Sequence, residues 1–154
     1  MRVGRIEYGN VSMSVPIDLE GLSGEPPDMQ FGYDQTVQAL TAAHQTARDE
    51  LNATLIVLVL PTKEEVYSNR VSPPLNADLL DELSHPRLRL LDDCLSRGWL
   101  CVDLYPALRD KADHAEQVYY PTMPNLNPAG QRVVAQVVAE TLSARGLVAS
   151  SFTR

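Results

Sequence analysis

The sequence predicts a three-layer α/β domain on a mainly parallel sheet, with a strand or hairpin at its N-terminus. Three observations carry this. Thr54 to Leu60 is an unbroken apolar run ended by Pro61. A strand buried on both faces reads this way, and such strands sit at the centre of parallel sheets. A second such run, Trp99 to Asp103, follows helical patterns, and a further helical pattern comes near the end of the chain. Alternating helices and apolar strands are the grammar of a doubly wound sheet.

The elements follow in order. Arg5 to Ile17 alternates loosely, with Val11, Val15 and Ile17, and predicts one or two strands turning at Gly9-Asn10. Gly24, Pro26, Pro27 and Asp28 predict a loop over 22–31. Asp34 is a suitable N-cap for a helix running to Leu51, with Val37, Leu40, Ala43 and Ala47 on its apolar side. Thr62 to Pro74 reads as a polar loop. Asn76 to Leu83 and Pro86 to Arg97 read as two helices broken at His85-Pro86, the second closed by Gly98. Leu104 to Asp113 is a short helix with Pro106 in its first turn, and 118–126 is irregular. Asn127 caps the last helix, Pro128 occupies its first position, and Gly146 ends it. The expected organisation is an N-terminal strand and loop segment over 1–33, an α/β core over 34–146 and a flexible tail over 147–154.

Composition narrows the function. The chain has 154 residues, room for one domain with an ordinary core. Its net charge is −7, from 20 acidic and 13 basic residues. Such a surface repels phosphate backbones, so no nucleic-acid partner is expected. No apolar run reaches the length of a membrane span and no signal peptide opens the chain, so a soluble domain is expected; its compartment is unknown. Cys94 and Cys101 flank a turn and are expected to be two free, half-buried thiols. His44, His85 and His114 are too widely spaced for a metal signature. Neither a metal nor a cofactor is expected.

Three stretches carry a family resemblance. They are Leu58-Val-Leu-Pro-Thr-Lys-Glu-Glu-Val-Tyr67, Val102-Asp-Leu-Tyr-Pro106, and the run from Tyr119 through Asn127-Pro-Ala-Gly130 to Ala135. In this order the chain resembles the C-terminal half of SGNH (GDSL-type) hydrolase-like proteins, most closely the bacterial branch related to polysaccharide O-acetylation. The resemblance covers about 35–142. It implies a flavodoxin-like or SGNH-like sheet with its site beyond the carboxyl ends of the strands.

The resemblance also implies a triad: a serine in a Gly-Asp-Ser block, a histidine to take its proton, and an aspartate to orient the ring. The aspartate and histidine belong just before a helix opening Leu-Asn-Pro-x-Gly. Here that opening is Leu126 to Gly130, and the two positions carry Met123 and Asn125. A thioether cannot orient an imidazole, and an amide is no base at neutral pH. No Gly-Asp-Ser occurs in the chain.

The expectation is therefore a degenerate, non-catalytic SGNH-like domain that binds a glycan or a partner. The alternative is an ester hydrolase or carbohydrate O-acyl transferase with displaced residues, using His114 and an N-terminal serine, or the rear fragment of such an enzyme. A third possibility, a flavodoxin-like binding domain, has no phosphate-cradling glycine loop behind it. The expected partners are a carbohydrate or acyl-ester ligand, and a second copy or a missing N-terminal half.

Four residues are candidates for binding: Lys63, Tyr67, Asp103 and His114. Lys63 near the crevice would hold an anion or a sugar hydroxyl; otherwise it pairs with Glu64 or Glu65 and Tyr67 packs the loop down. Asp103 is expected to cap the helix that follows it. Tyr105, Tyr119 and Tyr120 would line a groove or pack the core. The run 54–60 carries no charge to protect an open edge, so the N-terminal strands are expected to complete its sheet.

Overall fold

A computed structural model describes residues 3–8, 11–16, 27–72, 75 and 77–148, with side chains from residue 30 onward. The chain is mixed α/β with a parallel strand pair and surrounding helices. Strand β1 (Val3–Tyr8) pairs antiparallel with β2 (Val11–Pro16), the expected hairpin; its turn at 9–10 lies outside the described residues. Helix α1 is Pro27–Asp49 and strand β3 is Ile56–Val59. The one-turn helix α2 is Lys63–Val66, followed by a 3-10 turn and the short strand β4 (Val71–Ser72). Helix α3 is Ala77–Arg97, strand β5 is Leu100–Asp103, and helices α4 and α5 are Tyr105–Asp113 and Pro128–Ala144.

Several expectations are corrected. Helix α1 starts at Pro27, inside the stretch expected to be a loop and across the expected boundary at 33. A proline at a helix start loses no hydrogen bond and its φ already suits the helix, so Pro27 opens what it was expected to prevent. Asp34 lies inside that helix and accepts from Gln30 one turn earlier at 2.8 Å. The polar stretch after β3 holds α2, the 3-10 turn and β4 instead of a plain loop.

Pro86 does not break α3, which runs unbroken through it. The carbonyl of Glu82 loses its donor there, but Glu82 and Pro86 both face solvent, so water replaces the lost bond. Asn127 and Pro128 open α5 as expected, and Gly98 and Gly146 follow their helices at φ of 68° and 64°, where a side chain would be strained.

The sheets differ most from expectation. Strands β3 and β5 pair in parallel from Ile56↔Leu100 to Val59↔Asp103, and neither has a second neighbour among the described residues. Most of their residues are only half-buried, whereas central strands were expected. The N-terminal hairpin does not complete this pair. It adds β1 to β4 instead, through Arg5↔Ser72 and Ile6↔Val71, making a separate antiparallel sheet in the order β2-β1-β4. The unforeseen strand β4 supplied the alternative edge.

The core gathers where α2, α4 and α5 meet the segment after α4. Val66, Tyr67, Leu104, Leu108, Ala112, Val118, Tyr119 and Val133 are buried together there. Cys94 of α3 and Cys101 of β5 form a disulfide, which corrects the expectation of free thiols. The turn at Gly98, where the Trp99 N–H donates to the Cys94 carbonyl at 2.9 Å, brings the end of α3 back beside β5, with the two Cα atoms 6.0 Å apart, within bridging distance. Among the described residues no helix is long and apolar enough to cross a membrane, and no cluster of His, Cys, Asp and Glu could hold a metal ion.

Candidate functional site at the carboxyl rim

Because β3 and β5 are in register, Val59 and Asp103 end at one rim. The chain leaves β3 into α2, whose start is fixed by a capping box. The Thr62 hydroxyl accepts from the Glu65 backbone N–H at 3.2 Å, and the Glu65 carboxylate accepts from the Thr62 N–H at 2.8 Å. The spacing Thr-x-x-Glu is the sequence signature of this motif.

The other Glu65 oxygen accepts from Arg87 Nε of α3 at 2.9 Å, and Arg87 Nη1 donates to Asp103 at 2.6 Å. The Asp103 carboxylate also accepts from the Tyr105 N–H at 3.0 Å, so it meets the start of α4 as expected while holding Arg87. Arg87 lies over the Tyr105 ring, 4.6 Å from its centroid. Arg109 of α4 donates to the Glu65 carbonyl and the Ser68 hydroxyl. One charged chain thus joins α2, α3, β5 and α4 at the rim.

The segment 119–126 folds over the same rim as a narrow loop. Tyr119 bridges Leu126, Tyr120 N–H donates to the Asn125 carbonyl at 3.0 Å, and Asn127 N–H donates to the Val118 carbonyl at 3.0 Å. Asn127 serves both sides of the junction. Its Oδ1 accepts from the Ala129 and Gly130 N–H groups of α5, and its Nδ2 donates to the Gln117 carbonyl at 2.7 Å. An aspartate would cap the helix but could not donate. Gly130 is required by close approach: a Cβ there would collide with the Val118 carbonyl and meet Leu126 Cδ2 at 2.9 Å.

Lys63 closes the loop from below. Its ammonium donates to the carbonyls of Pro121 at 3.1 Å and of Tyr120 and Met123 at 3.5 Å, and only 6 % of the residue is exposed. Burial lowers its pKa, partly offset by Glu64. Neither Glu64 nor Glu65 forms a salt bridge with it; backbone carbonyls take that place. Tyr67 is fully buried, and its hydroxyl accepts from the Val118 and Tyr119 N–H groups at 2.8 and 3.3 Å. The Tyr119 hydroxyl in turn donates to the Pro61 carbonyl at 2.7 Å. Burial raises the pKa of both phenols.

The structure therefore brings Lys63 to the carbonyls of the loop that carries Met123 and Asn125, sets Tyr67 against the start of that loop, and joins Asp103 to α2 through Arg87 and Glu65. It does not bring in His114. That residue follows α4, whose nine residues extend about 13 Å from the rim, and its exposed ring contacts Asp110. Met123 is half exposed at the loop. Sequence reasoning missed Arg87 and Glu65 as a unit. The capping box was a signal for Glu65; nothing local marks Arg87, because its partners lie 22 and 16 residues away.

Beside this hub lies a cleft of about 200 Å³, lined by Glu65, Ser68, Leu80, Asp81, Ser84, Arg87, Leu88 and Tyr105. A second cluster lies between α1 and α3. There the Tyr33 hydroxyl donates to Asp93 at 2.6 Å and Arg89 stacks on the Tyr33 ring. Burial, then the Asp93 contact, pushes the Tyr33 phenol up to about 12.

Comparison with known proteins agrees with this architecture. Residues 25–153 match the family model described as SGNH hydrolase-like domain, acetyltransferase AlgX. Among solved structures, the O-acetyltransferase domain of Pseudomonas putida AlgJ superposes with a TM-score of 0.61 at 22 % identity. The match covers 97 % of this chain and 51 % of that one, so this chain spans about half its length. No curated protein matches. The likeness to AlgJ concerns the fold, and the family match covers most of the sequence: the chain belongs to the SGNH hydrolase-like family of the AlgX acetyltransferase type.

Proposed function

We propose that this chain is a non-catalytic member of its family that keeps the rim as a carbohydrate-binding surface. One observation carries the proposal: the loop that should present an acid and a base presents Met123 and Asn125, and Lys63 beneath it is engaged by loop carbonyls. Neither side chain can move a proton at neutral pH. The glycan as ligand class comes from the family, whose named members are acetyltransferases, with AlgJ an O-acetyltransferase. The disulfide supports a compartment where cysteine pairs stay oxidised.

The purified chain should not hydrolyse p-nitrophenyl acetate or acetylated xylan above background, and it should bind a neutral or amino-bearing oligosaccharide. Met123→Asp with Asn125→His should not restore turnover, because the sequence has no Gly-Asp-Ser block to supply the nucleophile. Turnover by the unaltered chain that His114→Ala abolishes would instead support displaced catalytic residues.

A second proposal is favoured by the sheet. The parallel pair β3–β5 is open at both edges among the described residues, and this chain matches about half of the AlgJ domain. Further strands, from the same protein or from another polypeptide, would complete it, making this chain the rear part of such an enzyme. Turnover that appears only when those strands are supplied, fused ahead of the chain or mixed in, would support this.

A further inference from the structure

The cleft beside the charged hub has chemistry of its own. Arg87 spends Nε on Glu65 and Nη1 on Asp103, and its side chain keeps only 9 % of its surface exposed. Among the described residues Nη2 has no protein partner, and Arg87 lines this cleft. The Tyr105 hydroxyl and the Asp81 carboxylate, both at the cleft, are likewise without protein partners among the described residues. Ser84 adds a hydroxyl and Leu80 and Leu88 add apolar surface. Donors, one acceptor and an apolar wall suit a ring that carries hydroxyls on its edge and C–H groups on its face.

The volume of about 200 Å³ is below the roughly 300–1,000 Å³ of a drug-sized site. It suits one ring, not a chain of them. Charge then selects among rings. Of the charged residues that line the cleft, Glu65 and Arg87 pair with each other, and Asp81 adds a carboxylate that no cation answers among the described residues; Arg109 reaches the lining at Ser68 but is itself paired with Asp113. The chain as a whole carries −7. A carboxylate ligand would meet like charge in a confined space, and an ammonium would meet its complement.

We propose that this cleft binds a single pyranose ring bearing an amino group, with the ammonium at Asp81 and hydroxyls at Tyr105, Ser84 and Arg87 Nη2. It rests on the carbohydrate-binding function proposed above and names the sugar class. Uronates bind most weakly, and uncharged hexoses fall between.

The test uses the full chain, titrated with the methyl glycosides of glucosamine, glucose and glucuronic acid, and followed by amide chemical shifts. Glucosamine should move the amides of 80–88 and Tyr105, with at least tenfold higher affinity than glucuronate. Asp81→Asn, an exposed position on α3, should cut the glucosamine affinity several-fold, down to that of glucose. Tyr105→Phe should weaken both sugars. Glucuronate binding as tightly as glucosamine in the cleft would overturn the charge argument. Shifts confined to 119–126 would overturn the cleft assignment and leave rim carbohydrate binding standing. Silence toward all three sugars and toward longer oligosaccharides would overturn both.

Discussion

In the loop from Tyr119 to Asn127 the backbone is tied down from several sides; in the sheet beneath it, β3 and β5 have only each other. Val118 and Tyr119 donate to Tyr67, Tyr120 to Asn125, and Asn127 to Val118, while three loop carbonyls surround the Lys63 ammonium. Each strand of the parallel pair, by contrast, turns one edge toward no strand among the described residues. The difference separates architecture from chemistry. A loop built to place an acid and a base must be held rigidly, and that holding is done by residues other than the acid and base. Met123 and Asn125 take part in these ties only through their carbonyls, which any residue supplies, so the ties do not fix which side chains stand there.

The largest test of the comparison strikes the rim. Arg87→Met removes the cation between Glu65 and Asp103 and leaves Glu65, 4 % exposed, as a buried charge. Stripping one partner from a buried pair costs about 3–5 kcal/mol. Urea unfolding should show a loss of that size, and the double variant Glu65→Gln with Arg87→Met should recover part of it. A loss below about 1 kcal/mol, the scale of an exposed pair, would mean the hub does not hold the rim.

A smaller effect is expected on the flank where α3 meets β5. Replacing Cys94 and Cys101 by alanine opens a short loop through Trp99, and closing such a loop is worth about 2–3 kcal/mol through the unfolded chain. Thermal melts with and without reductant should differ for the parent and coincide for the double variant. Coincidence for the parent as well would show that the cysteines are unpaired in solution.

What the sequence made legible follows from how local each signal is. Asn127-Pro128 and the two closing glycines were readable because a helix end is set by a few neighbouring residues. The two apolar runs were readable as strands, since their composition and flanking Gly and Pro mark them. Their edges were not, because pairing is a long-range choice: β1 took β4, a two-residue strand inside a polar stretch that no periodicity could reveal. At the site, the identities of Met123 and Asn125 are read directly from the sequence. The partners of Lys63 and Tyr67 are not, since they lie more than 50 residues away and are backbone groups, which carry no sequence identity. The cysteine pairing was missed for another reason: seven residues of separation fit a bridge or two thiols equally, and the turn at Trp99 decides.

The contrast between a locked loop and an open sheet is tested most directly by amide hydrogen exchange on the unmodified chain. Buried, paired amides open only with large-scale unfolding, while amides at an uncovered strand edge exchange through small fluctuations. The amides of Val118, Tyr119, Tyr120 and Asn127 should be among the slowest in the molecule, matching those of the Leu104 and Leu108 core. The outward-facing amides of Ile56 to Val59 and Leu100 to Asp103 should exchange far faster. If the loop amides exchange as fast as those strand-edge amides, the rim is not held by Lys63 and Tyr67 and the account fails.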